Sequence, residues 1–66
     1  MRENLKAARK AKDMTQAQAA TKLGVTERYY RFIESGERNG DFELWDTLED
    51  LFGVHQRTLR EDTGRQ

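Results

Sequence analysis

The sequence predicts an all-α fold of five short helices, and three observations predict it. Apolar residues recur at three- and four-residue spacing, the period of a helix face rather than of a strand. Proline is absent, which leaves glycines and polar caps to set the element boundaries. Glycines stand at 24, 36, 40, 53 and 64, and no repeat, linker or low-complexity stretch interrupts the pattern between them.

Each element follows from these signals. Helix one runs from about Glu3 to Lys12, with Leu5, Ala8 and Arg9 on its inner face. Thr15-Gln16-Ala17-Gln18 fits the S/T-x-x-E/Q capping box, so helix two starts there and ends at Leu23. Gly24 follows as a left-handed C-cap, where a β-carbon would clash. Thr26 caps helix three, which continues to about Ser35. Asp41 caps helix four, with Phe42, Trp45, Leu48 and Phe52 expected inward. Beyond Gly53 a short fifth helix uses Val54 and Leu59 as anchors. The domain is expected to span residues 1–61, with 62–66 a frayed tail.

Sixty-six residues leave room for one small core and none for a deep enzyme cleft. There is no cysteine to form disulfides or thiolate zinc sites, and His55 alone cannot make a metal site. No nucleophile–base constellation or glycine-rich phosphate loop is present, so neither an enzyme nor a cofactor is expected. The opening Met1-Arg2-Glu3 starts no signal peptide, and no apolar run has spanning length. The expected compartment is therefore the cytoplasm of a bacterial or phage-infected cell, away from the membrane. Leu, Ile, Val and Phe make up only 12 of 66 residues, so stability should be modest unless a partner adds buried area. Net charge is zero, but residues 1–38 carry nine Lys/Arg against five Asp/Glu, and residues 39–66 carry three against seven. One half suits an anionic partner; the other suits a surface turned away from it.

The most informative pattern is Gln16-x3-Ala20-x3-Gly24-x5-Tyr30-x2-Ile33. Ala20 sits where two helices cross closely, Gly24 permits the turn, and Tyr30 with Ile33 faces the first helix of the pair. This is the spacing of a helix-turn-helix over Thr15–Ser35. At about 100° per residue, Tyr30, Ile33 and Glu34 share the inner face of helix three. Arg28, Arg31, Phe32 and Ser35 cluster opposite, flanked by Glu27 and Tyr29.

On these residues the chain resembles the phage-repressor and Cro-like helix-turn-helix domains, the Xre family. The resemblance covers nearly the whole chain: Leu5-x3-Arg9, Met14-Thr15-Gln16, Leu23-Gly24-Val25-Thr26, Ile33 through Asn39, and Leu51-Phe52-Gly53-Val54. It implies a compact five-helix, lambda-repressor-like domain that binds double-stranded DNA as a transcriptional regulator. Most often such a regulator is a repressor that dimerises on a roughly palindromic operator. It also implies an inward-facing ion pair between Arg9 and Glu34. A protein-interaction module of the same fold, such as an antitoxin or anti-regulator, is the alternative.

The resemblance places Glu27, Arg28 and Phe32 at base-contacting positions, with Gln16 supporting them. Arg28 can donate two hydrogen bonds to guanine O6 and N7. Glu27 can accept from cytosine N4, or hold Arg28 or Gln16 in place. Phe32 stands where a polar residue is usual, and either packs on a thymine methyl or serves as an edge-of-core or partner contact. Backbone contacts are expected from Thr15, Thr26, Tyr29, Arg31, Ser35, Arg38, Asn39 and Gly40, with Lys6 a further candidate. The free N–H groups at the start of helix two favour phosphate. Tyr30 and Trp45 exceed the family's usual size, and are expected to fill space left by the small Ala8 and Ala19. Gly40 replaces a common proline, so a looser loop is expected before helix four. Dimerisation is expected through helices four and five, with His55, Leu59 and exposed members of Phe42–Leu51 as candidates.

Overall fold

In a computed structural model, residues 1–61 are described and form five helices. These are α1 (Glu3–Ala11), α2 (Gln16–Leu23), α3 (Glu27–Ser35), α4 (Phe42–Phe52) and α5 (Gln56–Leu59). The expectation for the tail at 62–66 lies outside the described residues. α2 packs most extensively on α3, and α5 bridges α1 and α4.

The caps act as the sequence anticipates. Thr15 accepts from the Gln18 N–H at 3.1 Å, and the Gln18 side chain accepts from the Thr15 N–H at 2.9 Å, completing the capping box. Thr26 and Asp41 accept from Tyr29 and Leu44 N–H groups at 3.1 and 2.9 Å. Gly24 closes α2 in left-handed backbone at φ +74°. No neighbouring atom lies within 4 Å of where its β-carbon would sit, so the demand for glycine is conformational.

Leu5, Ala19, Ala20, Tyr30, Ile33, Leu44, Trp45, Leu48, Phe52 and Leu59 form the core. Tyr30 and Trp45 are its two largest fully buried side chains; Ala19 is fully buried, and Ala8 packs half-buried against the core.

Three expectations need correction. Phe42 points outward and is 74% exposed; Leu44 is buried in its stead. Leu44, Leu48, Phe52 and Trp45 occupy an arc of about 100° on α4, and Phe42 falls about 60° beyond its Trp45 edge. Leu59 is fully buried in the chain's own core and cannot supply a dimer surface. The loop before α4 is not loosened by Gly40. That residue has φ +70°, and a β-carbon there would lie 2.5 Å from Leu44 Cδ2 and 3.2 Å from both Ile33 Cδ1 and Trp45 Nε1. The Trp45 indole N–H donates to the Asn39 carbonyl at 2.7 Å, pinning the same loop.

Arg2 was invisible as a structural residue in the sequence, yet it is only 6% exposed. Its guanidinium lies 5.1 Å from the Trp45 ring centroid and donates to the carbonyls of Ile33 (2.5 Å), Arg38 (2.9 Å) and Arg60 (3.2 Å). Its backbone N–H donates to the Glu34 carbonyl at 2.7 Å. Arg2 thus satisfies two last-turn carbonyls of α3, Ile33 through its guanidinium and Glu34 through its backbone N–H, where the helix dipole favours a cation.

The Tyr30 hydroxyl is buried and meets no hydrogen-bond partner. Burial first, and then the negative charge of Glu34, hold its phenol well above the ordinary value of 10.0. Removing the ring in Tyr30→Ala should cost about 3–5 kcal/mol in urea unfolding. Tyr30→Phe, which removes only an unsatisfied polar atom, should change stability by less than about 1 kcal/mol. The folded state keeps the Tyr30 proton to higher pH than the unfolded chain does. Stability supplied by the neutral phenol is therefore complete below about pH 10 and declines as pH rises above it. Tyr30→Phe should flatten that alkaline decline in pH-dependent thermal melts. In the same melts Gly40→Ala should destabilise more than Gly24→Ala, since only the former adds a core clash to the backbone strain.

Candidate nucleic-acid interface

The geometry of α3 relative to α1 and α2 depends on one buried carboxylate. Glu34 is 1% exposed and accepts from Arg9 Nε at 2.5 Å, Arg9 Nη2 at 3.4 Å and Gln16 Nε2 at 3.2 Å. Arg9 also donates through Nη1 to the Met14 carbonyl at 2.7 Å, which fixes the turn between α1 and α2. The hydrogen bond to Glu34, opposed by desolvation, raises the Arg9 pKa further above its ordinary value. The expected Arg9–Glu34 pair is thus formed, and it joins three helices at one point.

With Tyr30, Ile33 and Glu34 locked inward, the opposite side of α3 is presented to solvent. Glu27, Arg28 and Arg31 are exposed there, Phe32 is half-buried, and the four line a shallow depression. Glu27 pairs with Arg31, four residues on, at 3.0 Å, so its partner is neither Arg28 nor Gln16. Arg28 makes no ion pair with any described residue, and its guanidinium carbon lies 5.7 Å from the Phe32 ring centroid. Arg38, from the loop after α3, lies 5.9 Å from the same centroid.

The remaining site residues divide by what already holds them. Thr15 and Thr26 stand at helix N-termini as caps and are exposed. Gln16 is half-buried, with its amide turned to Glu34. Tyr29 is half-buried and packs against the core. The Ser35 hydroxyl donates to the Phe32 carbonyl and accepts from the Glu37 N–H, so it closes the end of α3. The exposed Asn39 accepts through Oδ1 from Arg2 at 3.4 Å. Gly40 faces the core, where its missing side chain makes room for Leu44. Lys6 is half-buried on α1. The sequence missed Arg2 as the anchor of this region, and nothing local marks it, because its partners lie more than thirty residues away.

Charge separates along the same line. α4 carries Glu43, Asp46, Glu49 and Asp50, and Asp46 and Glu49 accept from Gln56 Nε2 at 2.7 and 3.2 Å. Basic residues collect on the other half of the chain. No helix among the described residues is long and apolar enough to cross a membrane.

Breaking the central pair should be expensive, because it leaves a buried charge without its counterion. Arg9→Met or Glu34→Leu alone should lose about 3–5 kcal/mol in urea unfolding, and the double variant should recover much of that loss. Additive losses would mean that the two side chains act independently.

Comparison with known proteins gives a consistent result. A helix-turn-helix family model matches residues 5–60. An uncharacterized HTH-type transcriptional regulator, YqaE, of Bacillus subtilis (strain 168) is 38% identical over 52 residues. The match covers 79% of this chain and 45% of that protein, so the chain spans about half the length of the curated relative it matches. No solved structure matches. The chain belongs to the Cro-like (Xre) helix-turn-helix family.

Proposed function

We propose that this family member is a sequence-specific double-stranded DNA-binding transcriptional regulator, acting as a repressor on a roughly palindromic operator. The observation that carries the reading is the outward face of α3. Its inner face is tied down by Glu34, Tyr30 and Ile33, and its first turns offer Glu27, Arg28 and Arg31 to solvent. Recognition helices of this type present their N-terminal residues to base edges in the major groove.

Arg28 is the base reader, with two donors for guanine O6 and N7. Glu27, held by Arg31, is placed to accept from cytosine N4, and Gln16 supports both from the start of α2. Thr15 and Thr26, at helix N-termini, together with Tyr29, Arg31, Arg38 and Asn39, meet sugar and phosphate. Ser35 and Gly40 reach the DNA backbone through main-chain groups, since their side positions are committed within the fold.

The chain works in the cytoplasm as a homodimer through α4 and α5, and the acidic surface of α4 is kept from the phosphates. Phe42, the most exposed large apolar side chain described, supplies the apolar contact. It equally suits the second reading, an antitoxin-like or anti-regulator module that docks a protein through α4.

Selection of bound sequences from random duplex DNA tests these assignments together. Wild type should yield two half-sites about 34 Å apart, one turn of DNA. Binding should weaken steeply with salt, as counterion release requires. Arg28→Ala should relax the preference at one base position, at a cost of about 1–3 kcal/mol. Arg38→Ala should weaken all sites similarly and reduce the salt slope by about 1. Uniform loss in both variants would refute base reading by Arg28. Absence of DNA binding even at low salt, together with tight binding to a protein, would favour the second reading.

A further inference from the structure

Phe32 occupies a position that the resemblance assigns to base contact, yet its surroundings suggest different work. Arg28 lies one turn before it on α3, and the guanidinium carbon is 5.7 Å from the ring centroid. Arg38 reaches the same ring from the following loop, at 5.9 Å. Both distances fall within the reach of cation–π attraction, about 6 Å.

The backbone enforces this convergence. Gly36 takes left-handed backbone at φ +91°, which turns the chain back on α3. The Phe32 carbonyl then accepts from the N–H groups of Gly36 and Arg38, each at 3.1 Å, and from the Ser35 hydroxyl at 3.1 Å. The Arg38 carbonyl is in turn held by buried Arg2 at 2.9 Å. The arginine after the turn is therefore carried back to the ring of Phe32.

The geometry points to Phe32 as a positioning residue: an aromatic platform that holds Arg28 and Arg38 together, so that base reading and phosphate anchoring are set by one side chain. This rests on the DNA-binding reading given above. Each arginine side chain is flexible when free, and contact with a shared ring limits the conformations it must give up on binding. The ring leaves the guanidinium edges free to donate, since cation–π contact uses the face of the group. The distance between the guanine reader and one phosphate contact is then fixed before DNA arrives, which links register to readout.

The test compares Phe32→Leu, which keeps apolar bulk without a π face, with Phe32→Tyr, which keeps the face. Folding of each is checked by circular dichroism. Phe32→Leu should lose about tenfold in affinity for a selected duplex, blur the base preference at the Arg28 position and lower the salt slope; Phe32→Tyr should retain all three. In an Arg28→Ala/Arg38→Ala background, Phe32→Leu should have no further effect. An equal loss in that background would overturn the proposal in favour of direct packing of Phe32 on DNA. Without DNA, the ring should shift the Arg28 and Arg38 side-chain NMR resonances upfield in wild type and Phe32→Tyr, and not in Phe32→Leu. Unshifted arginines in wild type would overturn the platform even if DNA binds. Shifted arginines in a protein that binds no DNA would uphold the platform and refute the DNA-binding reading.

Discussion

The whole arrangement depends on Glu34, a carboxylate that the fold removes from water. A buried charge is costly unless paired and hydrogen-bonded. Here Arg9 of α1 and Gln16 of α2 meet it at a single point on α3. Such a pair adds little net stability over a well-packed apolar contact, but it restricts how the helices can be placed. Three helices that must satisfy one carboxylate have few alternative registers. The outer face of α3 is defined by that constraint, because fixing Glu34 inward fixes the opposite residues outward.

A second restraint acts on the same last turn of α3, through its backbone. Arg2 enters from the N-terminus, lies over Trp45 and donates to carbonyls at the end of α3 and in the loop that follows. Gly40 lets that loop press against Leu44, Ile33 and Trp45. The last turn of α3 is thus held twice, by the ion pair at the Glu34 side chain and by Arg2 at the Ile33 and Glu34 carbonyls. In a chain with so few large aliphatic residues, polar interactions with exacting geometry take over part of the orienting work of a larger core. Tyr30 and Trp45 supply much of the remaining bulk.

How much of this was legible in the sequence depends on the range over which each feature is determined. The capping box at Thr15, the caps at Thr26 and Asp41, and the glycine turn at Gly24 are local, and the helix boundaries followed from them. The inward set Tyr30, Ile33 and Glu34 followed from helical period. The Arg9–Glu34 pair came from family resemblance, since nothing in composition separates Glu34 from a surface glutamate. Phe42 misled because its spacing from Trp45 matches a core stripe, while the stripe turns the other way, through Leu44. Leu59 read correctly as an anchor, and being fully buried in that role it has no surface left for a partner. Arg2 and the convergence of Arg28 and Arg38 on Phe32 depend on tertiary contacts or on the path of a turn, which no window of sequence displays.

On the proposed DNA-binding reading, these restraints present one face, comprising the starts of α2 and α3 and the loop after α3, to DNA. An amide-resolved NMR titration with a random-sequence duplex at low salt tests it most directly, because phosphate contacts need no operator. The account predicts shifts concentrated at Thr15, Gln16, Thr26 to Arg28, Arg31 and Arg38, with α4 and α5 unaffected. Shifts centred on Phe42, Asp46 and His55, with the N-terminal turns of α2 and α3 silent, would contradict it.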